Sequence, residues 1–207
     1  MKMAVAVGLS KSHTYLKYRN ITTKLLSEGK VSGNTQSEAL LDYTRLNESR
    51  MNRLDKKLVV PEALIKRLLA IKNRYIWLVI SEGWCGDAAQ LIPVFNKLAT
   101  LSPNIELKLA FRDENEPLMQ AFLTNGARSI PKLIVLEADT NEVRAIWGPR
   151  PKAASDFIAS YKSQYGSIDE TARTELHLWY TNDKGISTQI ELLDLMEEVE
   201  MALYAKR

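Results

Sequence analysis

The chain has 207 residues, 45% hydrophobic and 26% charged, with nine glycines and seven prolines, which suits one globular core with material left for a helical extension or small subdomain. No run approaches the roughly 18 apolar residues of a membrane span, and the single cysteine, Cys85, excludes a disulfide within one chain, so any redox chemistry must use a partner's thiol. The net charge of +3 divides unevenly: residues 1–75 carry 15 Lys and Arg against 6 Asp and Glu, and residues 76–207 carry 13 against 19.

A basic N-terminal third could touch nucleic acid or an anionic surface. Its charges are dispersed along helical patterns, however, and no RNA-binding or helix-turn-helix signature accompanies them. Nucleic acid is therefore not an expected partner, and the basic arm is expected to pack against the acidic remainder of the chain. There is no CxxC pair, no His/Cys cluster and no HExxH, so no zinc site is expected. His13 and His177 are the two histidines, and both read as surface or packing residues.

In chain order, MKMAVAVGLS opens with an apolar run of about seven residues, at the lower limit for a signal segment, and a polar segment follows. This points to a cytoplasmic protein. Residues 13–28 form a helix stopped at Glu28-Gly29. Thr35-Gln-Ser-Glu38 is a capping-box pattern that opens a second helix, with Leu40, Tyr43, Leu46, Met51 and Leu54 on one amphipathic face. That face is expected to pack on its own domain, although it would also suit a homodimer. PEALIKRLLAIKNR is a helix with Pro61 in its first turn, and YIWLVIS (75–81) is a strand buried on both faces.

The helix after Cys85 runs to about Leu101, with a kink expected at Pro93. IELKLAF (105–111) is the next strand, and a helix follows from about Glu116 to Asn125, ended by Gly126. KLIVLE (132–137) and EVRAIW (142–147) form a hairpin, closed by the Gly-Pro-Arg-Pro turn at 148–151. Helices are expected over about 152–165, 168–181 and 187–205, the last capped by Ser187. This order predicts an α/β fold: a parallel βαβ unit followed by an antiparallel hairpin, in a mixed sheet with helices on both faces.

Cys85 sits where a buried strand gives way to a helix, the edge at which ligand and catalytic groups of open α/β sheets concentrate. The unpaired N–H groups and partial positive charge of a helix start favour a thiolate. Gly86 is read as permitting a tight turn there.

In several places the sequence resembles the thioredoxin superfamily. Trp84-Cys85-Gly86 is similar to the opening of a thioredoxin active site. Pro93 matches the proline inside the active-site helix, and Gly126-Ala-Arg-Ser-Ile-Pro131 is similar to the segment carrying the family's cis-proline. The resemblance covers about residues 58–165, leaving 1–57 and 166–207 as N- and C-terminal helical extensions. It implies that Cys85 is the attacking thiol and that Trp84 packs beside the sulfur. It also implies that Pro131, in a cis peptide, lies opposite the thiol and exposes the Ile130 backbone for pairing with substrate main chain.

The sequence also departs from that pattern. Ala88 replaces the second cysteine of CxxC, so the intramolecular release of a mixed disulfide is missing. Val79 stands where the family's buried acid often sits. Asp87 could raise the thiol pKa against the helix field.

Two functions follow. One is a monothiol thiol–disulfide oxidoreductase acting on protein or small-molecule disulfides, with no bound cofactor and with a small thiol such as glutathione resolving Cys85. The other is a redox-inactive binding module that uses the cis-proline edge and the helical extensions. Cys-Gly-Asp-Ala does not match the motif of iron–sulfur-binding relatives. Arg112–Glu116 reads as a solvated turn rather than a calcium loop. Lys132 could face the thiol or solvent, and the approach of Arg150 to the site is left open.

Overall fold

Residues 75–80 are a near-continuous apolar run because they form the strand at the centre of the sheet, covered on both faces. In the computed structural model, which describes residues 1–205, β1 (Tyr75–Ser81) pairs parallel with β2 (Ile105–Phe111) and antiparallel with β3 (Lys132–Glu137). β3 pairs antiparallel with β4 (Val143–Trp147), and the sheet order is β2-β1-β3-β4. Trp77, Leu78, Val79 and Ile80 are each fully excluded from solvent.

Between β1 and β2 lies α5 (Gly86–Leu101), with Pro93 inside it. α6 (Glu116–Ala121) joins β2 to β3, and α7 (Lys152–Tyr165) follows β4. The helices before and after this frame are α1 (Lys2–Ser10), α2 (Tyr15–Ser27), α3 (Glu38–Lys57), α4 (Glu62–Leu69), α8 (Glu170–Asp183) and α9 (Ile186–Tyr204). They share one hydrophobic cluster with the sheet, from Val5 and Tyr18 to Tyr180, Met196 and Val199. β2 lies at one edge of the sheet, where His13 bridges Leu109 through two backbone bonds of 2.7 and 2.8 Å. His13 is thus a packing residue, its ring 5.9 Å from that of Phe111.

Several boundaries differ from the sequence expectation, each for a local reason. The apolar N-terminal run is a helix, α1, with Val5 buried and Gly8 against Leu118 of α6. The cap of α3 is Ser37, which accepts from the Leu40 N–H, rather than Thr35. The Gln36 side chain bonds both backbone groups of Val31 and holds the preceding loop out of the helix.

Pro61 caps α4 instead of lying in its first turn, and α4 ends at Leu69. The backbone that follows is claimed elsewhere: Ile71 O accepts from Asn104, and the Lys72 and Asn73 N–H groups donate to Glu200. α6 stops at Ala121, because Thr124 and Ala127 turn back on each other around Asn125, which has a φ of 50°. α9 starts behind Gly185, and Ser187 is inside it, donating its N–H to Asp183.

Glu200 ties the C-terminal helix to the start of β1. Its carboxylate accepts from the Lys72 and Asn73 backbone, the Asn73 side chain and the Tyr75 hydroxyl, the last at 2.6 Å. Burial alone would raise its pKa, but these donors hold it below the ordinary glutamate value. A depressed carboxylate stabilises the fold above its unfolded pKa and loses that contribution as pH falls through the folded one. Glu200→Gln is expected to cost about 1–2 kcal/mol at pH 7. Urea denaturation at pH 7 and at about pH 3.5 should show the gap between variant and parent narrowing at the lower pH.

Candidate functional site

Cys85 is the N-cap of α5, and its own carbonyl accepts the first helical bond, from Ala89 at 3.1 Å. The thiol is 8% exposed and donates to the Ile130 carbonyl oxygen at 3.4 Å. The Ile130–Pro131 peptide is cis, as is Gly148–Pro149. Ile130 and Pro131 are both buried, so the backbone that was expected to be open to an incoming strand is covered and bonded to the thiol. Val79 lies in the sheet interior, and Ala88 faces the protein interior at 2% exposure.

The electrostatics of the site turn on Asp87. It is nearly buried, and its carboxylate takes a two-pronged bond from Arg150, Nε to Oδ1 at 2.9 Å and Nη2 to Oδ2 at 2.6 Å. The Tyr180 hydroxyl of α8 donates to the same Oδ1 at 2.8 Å. Burial pushes the Cys85 thiol up to about 12, and the Asp87 carboxylate adds to it, while the Ala88 and Asp87 N–H groups and Arg150 pull the other way. The helix-start N–H groups are therefore present, and burial outweighs them. Burial also disfavours the charge of Arg150, but Asp87 more than offsets this and raises its pKa. Burial and Asp87 likewise keep Tyr180 protonated, and so a donor.

Arg150 is aimed by the turn after β4. A Cβ on Gly148, whose φ is 106°, would meet the Pro131 carbonyl oxygen at 2.5 Å, so only glycine lets this turn lie against the Ile130–Pro131 segment. The need for glycine at position 86 also differs from expectation. Gly86 is an ordinary helical residue rather than a positive-φ turn. A Cβ there would meet the His177 ring at 3.2 Å and approach Arg50 at 3.9 Å. α3 and α8 thus close over the Cys85–Gly86 junction. Burial, then Arg50, lowers the pKa of His177, and its Nδ1 is buried without a hydrogen-bond partner.

The stretch before the thiol is anchored to the N-terminal segment. Gly83 N–H donates to Ser32, Gly83 O accepts from Asn47 of α3, and Trp84 Nε1 donates to the Ser32 carbonyl at 3.0 Å. The Arg112 guanidinium lies 4.9 Å above the Trp84 ring, so the observed polar contacts of the indole run to Ser32 and Arg112. Glu82 is fully buried and accepts from the Asp113 N–H at 2.9 Å. Burial pushes its pKa up. Lys132 faces neither thiol nor solvent, because its buried ammonium donates to Thr124 and to Gly148 O.

Sequence reasoning gathered Cys85, Trp84, Gly86, Asp87, Ala88, Ile130 and Pro131, and all of them meet at the ends of β1 and β3. It missed Tyr180, His177, Arg50 and Glu82. Only Glu82, a lone acid at the end of an apolar strand, carried a local signal. Among the described residues no cluster of His, Cys, Asp and Glu could hold a metal ion, and no helix is long and apolar enough to cross a membrane.

A family model described as Thioredoxin matches residues 33–162. The crystal structure of an HIV epitope-scaffold superposes with a TM-score of 0.58 at 22% identity, over 90% of this chain and 99% of that one. A Pseudomonas aeruginosa protein of unknown function superposes with a TM-score of 0.52 at 19% identity, over 94% and 99% of the two chains. No curated protein sequence matches the chain.

Asp87→Asn is expected to lower the thiol pKa, since it removes the repelling carboxylate and leaves the Arg150 charge behind. Alkylation of Cys85 at fixed pH should accelerate about tenfold or more, in proportion to the thiolate fraction. Arg150→Gln should slow it.

Proposed function

Because the chain belongs to the thioredoxin family, we propose that it is a thioredoxin-fold protein that works by binding, with its thiol held protonated and covered in the form described. The observation that carries this reading is the state of Cys85: 8% exposed, bonded to Ile130 O and pushed up to about 12. A thiol of that acidity is almost wholly protonated at neutral pH, and the thiolate is the nucleophile. Ala88 stands where a resolving cysteine would be needed, and the chain has no second thiol to take its place.

The helices outside the sheet frame support the same reading. α3 and α8 close the junction that a disulfide substrate would have to reach, and the Tyr180–Asp87 bond fastens α8 there. The Ile130 carbonyl is already engaged by the thiol and the Gly148 turn lies against Pro131, so binding is assigned to surfaces that the helices themselves present.

The position of Cys85 at the start of α5 favours a second reading, a monothiol oxidoreductase that acts only when α8 lifts. The Cys85 thiolate would then attack a protein–small-thiol disulfide and expel the protein thiolate, which takes up a proton. A second molecule of the small thiol, such as glutathione, would attack the new mixed disulfide. This regenerates Cys85 and leaves the small thiol's own disulfide, so each turnover consumes one free small thiol and passes the disulfide from the protein to it.

The two readings separate on one measurement. Native protein at pH 8 is expected to alkylate at least about a hundredfold more slowly than the same protein in guanidinium. It should also release no thiol from a glutathionylated peptide. Native labelling as fast as denatured labelling, with peptide reduction lost in Cys85→Ser, would reject binding-only function and establish the monothiol cycle. Tyr180→Phe, which removes the bond from α8 to Asp87, should speed labelling under either reading.

A further inference from the structure

The end of α3 and the end of α8 line a half-open groove of about 430 Å³. That lies in the size range of small-molecule sites. Its wall is apolar: Leu54, Leu58, Val59, Pro61 and Ile186, with Tyr180 among the lining residues. Val59 is 71% exposed at its edge. The wall is also braced, because Gln189 of α9 donates to the Val59 carbonyl at 3.2 Å.

The charge around this groove has one sign. Arg53, Lys57 and Lys184 also line it, and among the described residues none of the three is ion-paired with a carboxylate. The acids nearest to them in sequence are committed elsewhere. Asp55 accepts from Tyr15 and Arg19, and Asp183 accepts from the Ser187 N–H of α9. Arg50 extends the same face of α3 one turn toward Gly86.

An open apolar groove rimmed by three exposed cations suits one kind of molecule: an apolar chain ending in an anion. Burying either half alone is less favourable. A neutral chain leaves the cations unused, and a short anion leaves the apolar wall in water. Arginine and lysine both accept a carboxylate, arginine with two parallel bonds.

We infer that this groove binds a medium-chain acyl carboxylate, with the chain against Leu54, Leu58 and Ile186 and the head between Arg53, Lys57 and Lys184. The inference deepens the binding reading above by naming a ligand class. The site backs onto the thiol junction through Tyr180, which lines the groove and bonds Asp87 beside Cys85. The alkylation experiment reads Cys85 alone, so it can fail without touching the groove, and the converse also holds.

The test is titration calorimetry of the full chain with sodium decanoate, sodium octanoate and decanol. Decanoate should bind in a one-to-one complex, tighter than octanoate by roughly fourfold per added methylene. It should also bind tighter than decanol, and weaken as salt is raised. The double variant Arg53→Gln, Lys57→Gln should lose about tenfold in decanoate affinity and keep its decanol affinity. Leu54→Trp fills the groove and should abolish binding of both, with circular dichroism confirming that it is folded. Absence of decanoate binding overturns the inference. So does decanol binding as tightly as decanoate, or equal decanoate affinity in parent and double variant.

Discussion

The carboxylate of Asp87 lies two residues after the thiol and receives donors from two distant parts of the chain. Arg150 comes from the turn after β4 and Tyr180 from α8. An isolated carboxylate at that depth would carry a large desolvation penalty, and one paired only by a lysine-like point charge would leave lone pairs unsatisfied. The two-pronged guanidinium and the phenol together satisfy it. That requirement brings three elements to one point, and the covering of Cys85 follows from it. The pair is costly to break from one side, which makes the closure specific rather than merely tight.

The chemistry of the thiol is then decided by magnitudes. A helix terminus contributes at most about 2 kcal/mol to a charge in a favourable site. Moving a thiol from near 9 to about 12 corresponds to roughly 4 kcal/mol against the thiolate. Burial under α3 and α8, helped by Asp87, wins by a clear margin. The helix-start N–H groups and the cis-proline therefore stand beside the thiol, but the resolving cysteine and the medium that would make the thiol reactive do not. Trp84 gives its N–H to Ser32 and its face to Arg112.

The same closure shapes the surface next to it. α8 runs across the junction and must turn sharply into α9, and the end of α3 runs alongside. Between these ends the helices leave an apolar groove rimmed by cations whose nearest acids are taken by Tyr15, Arg19 and Ser187. A single residue, Tyr180, is shared by the groove and the thiol junction. The basic N-terminal third expected to pack on the acidic remainder does so in part. Arg67 pairs with Asp194 and Glu197 of α9, Arg19 pairs with Glu48 and Asp55 of its own arm, and among the described residues Arg53 and Lys57 pair with no carboxylate.

The sheet and its immediate helices were legible because their signals are local. A seven-residue apolar strand, a helix with an internal proline and an Asp-Thr-Asn hairpin turn each depend on neighbours in sequence. Helix ends were less legible wherever a tertiary partner competed for backbone groups, as Glu200 does for Lys72 and Asn73. The apolar N-terminal run could be read as a helix only once Leu118 was there to pack against Gly8. By itself, the sequence determined that one thiol would stand at a strand-to-helix junction beside an acid, with no second thiol to resolve it, and its resemblance to the thioredoxin superfamily implied a proline opposite. Only the tertiary structure decided that this thiol is buried and neutral. Its burial depends on residues far from it along the chain: Arg150 and Tyr180 arrive through their bonds to Asp87, and His177 and Arg50 close over Gly86.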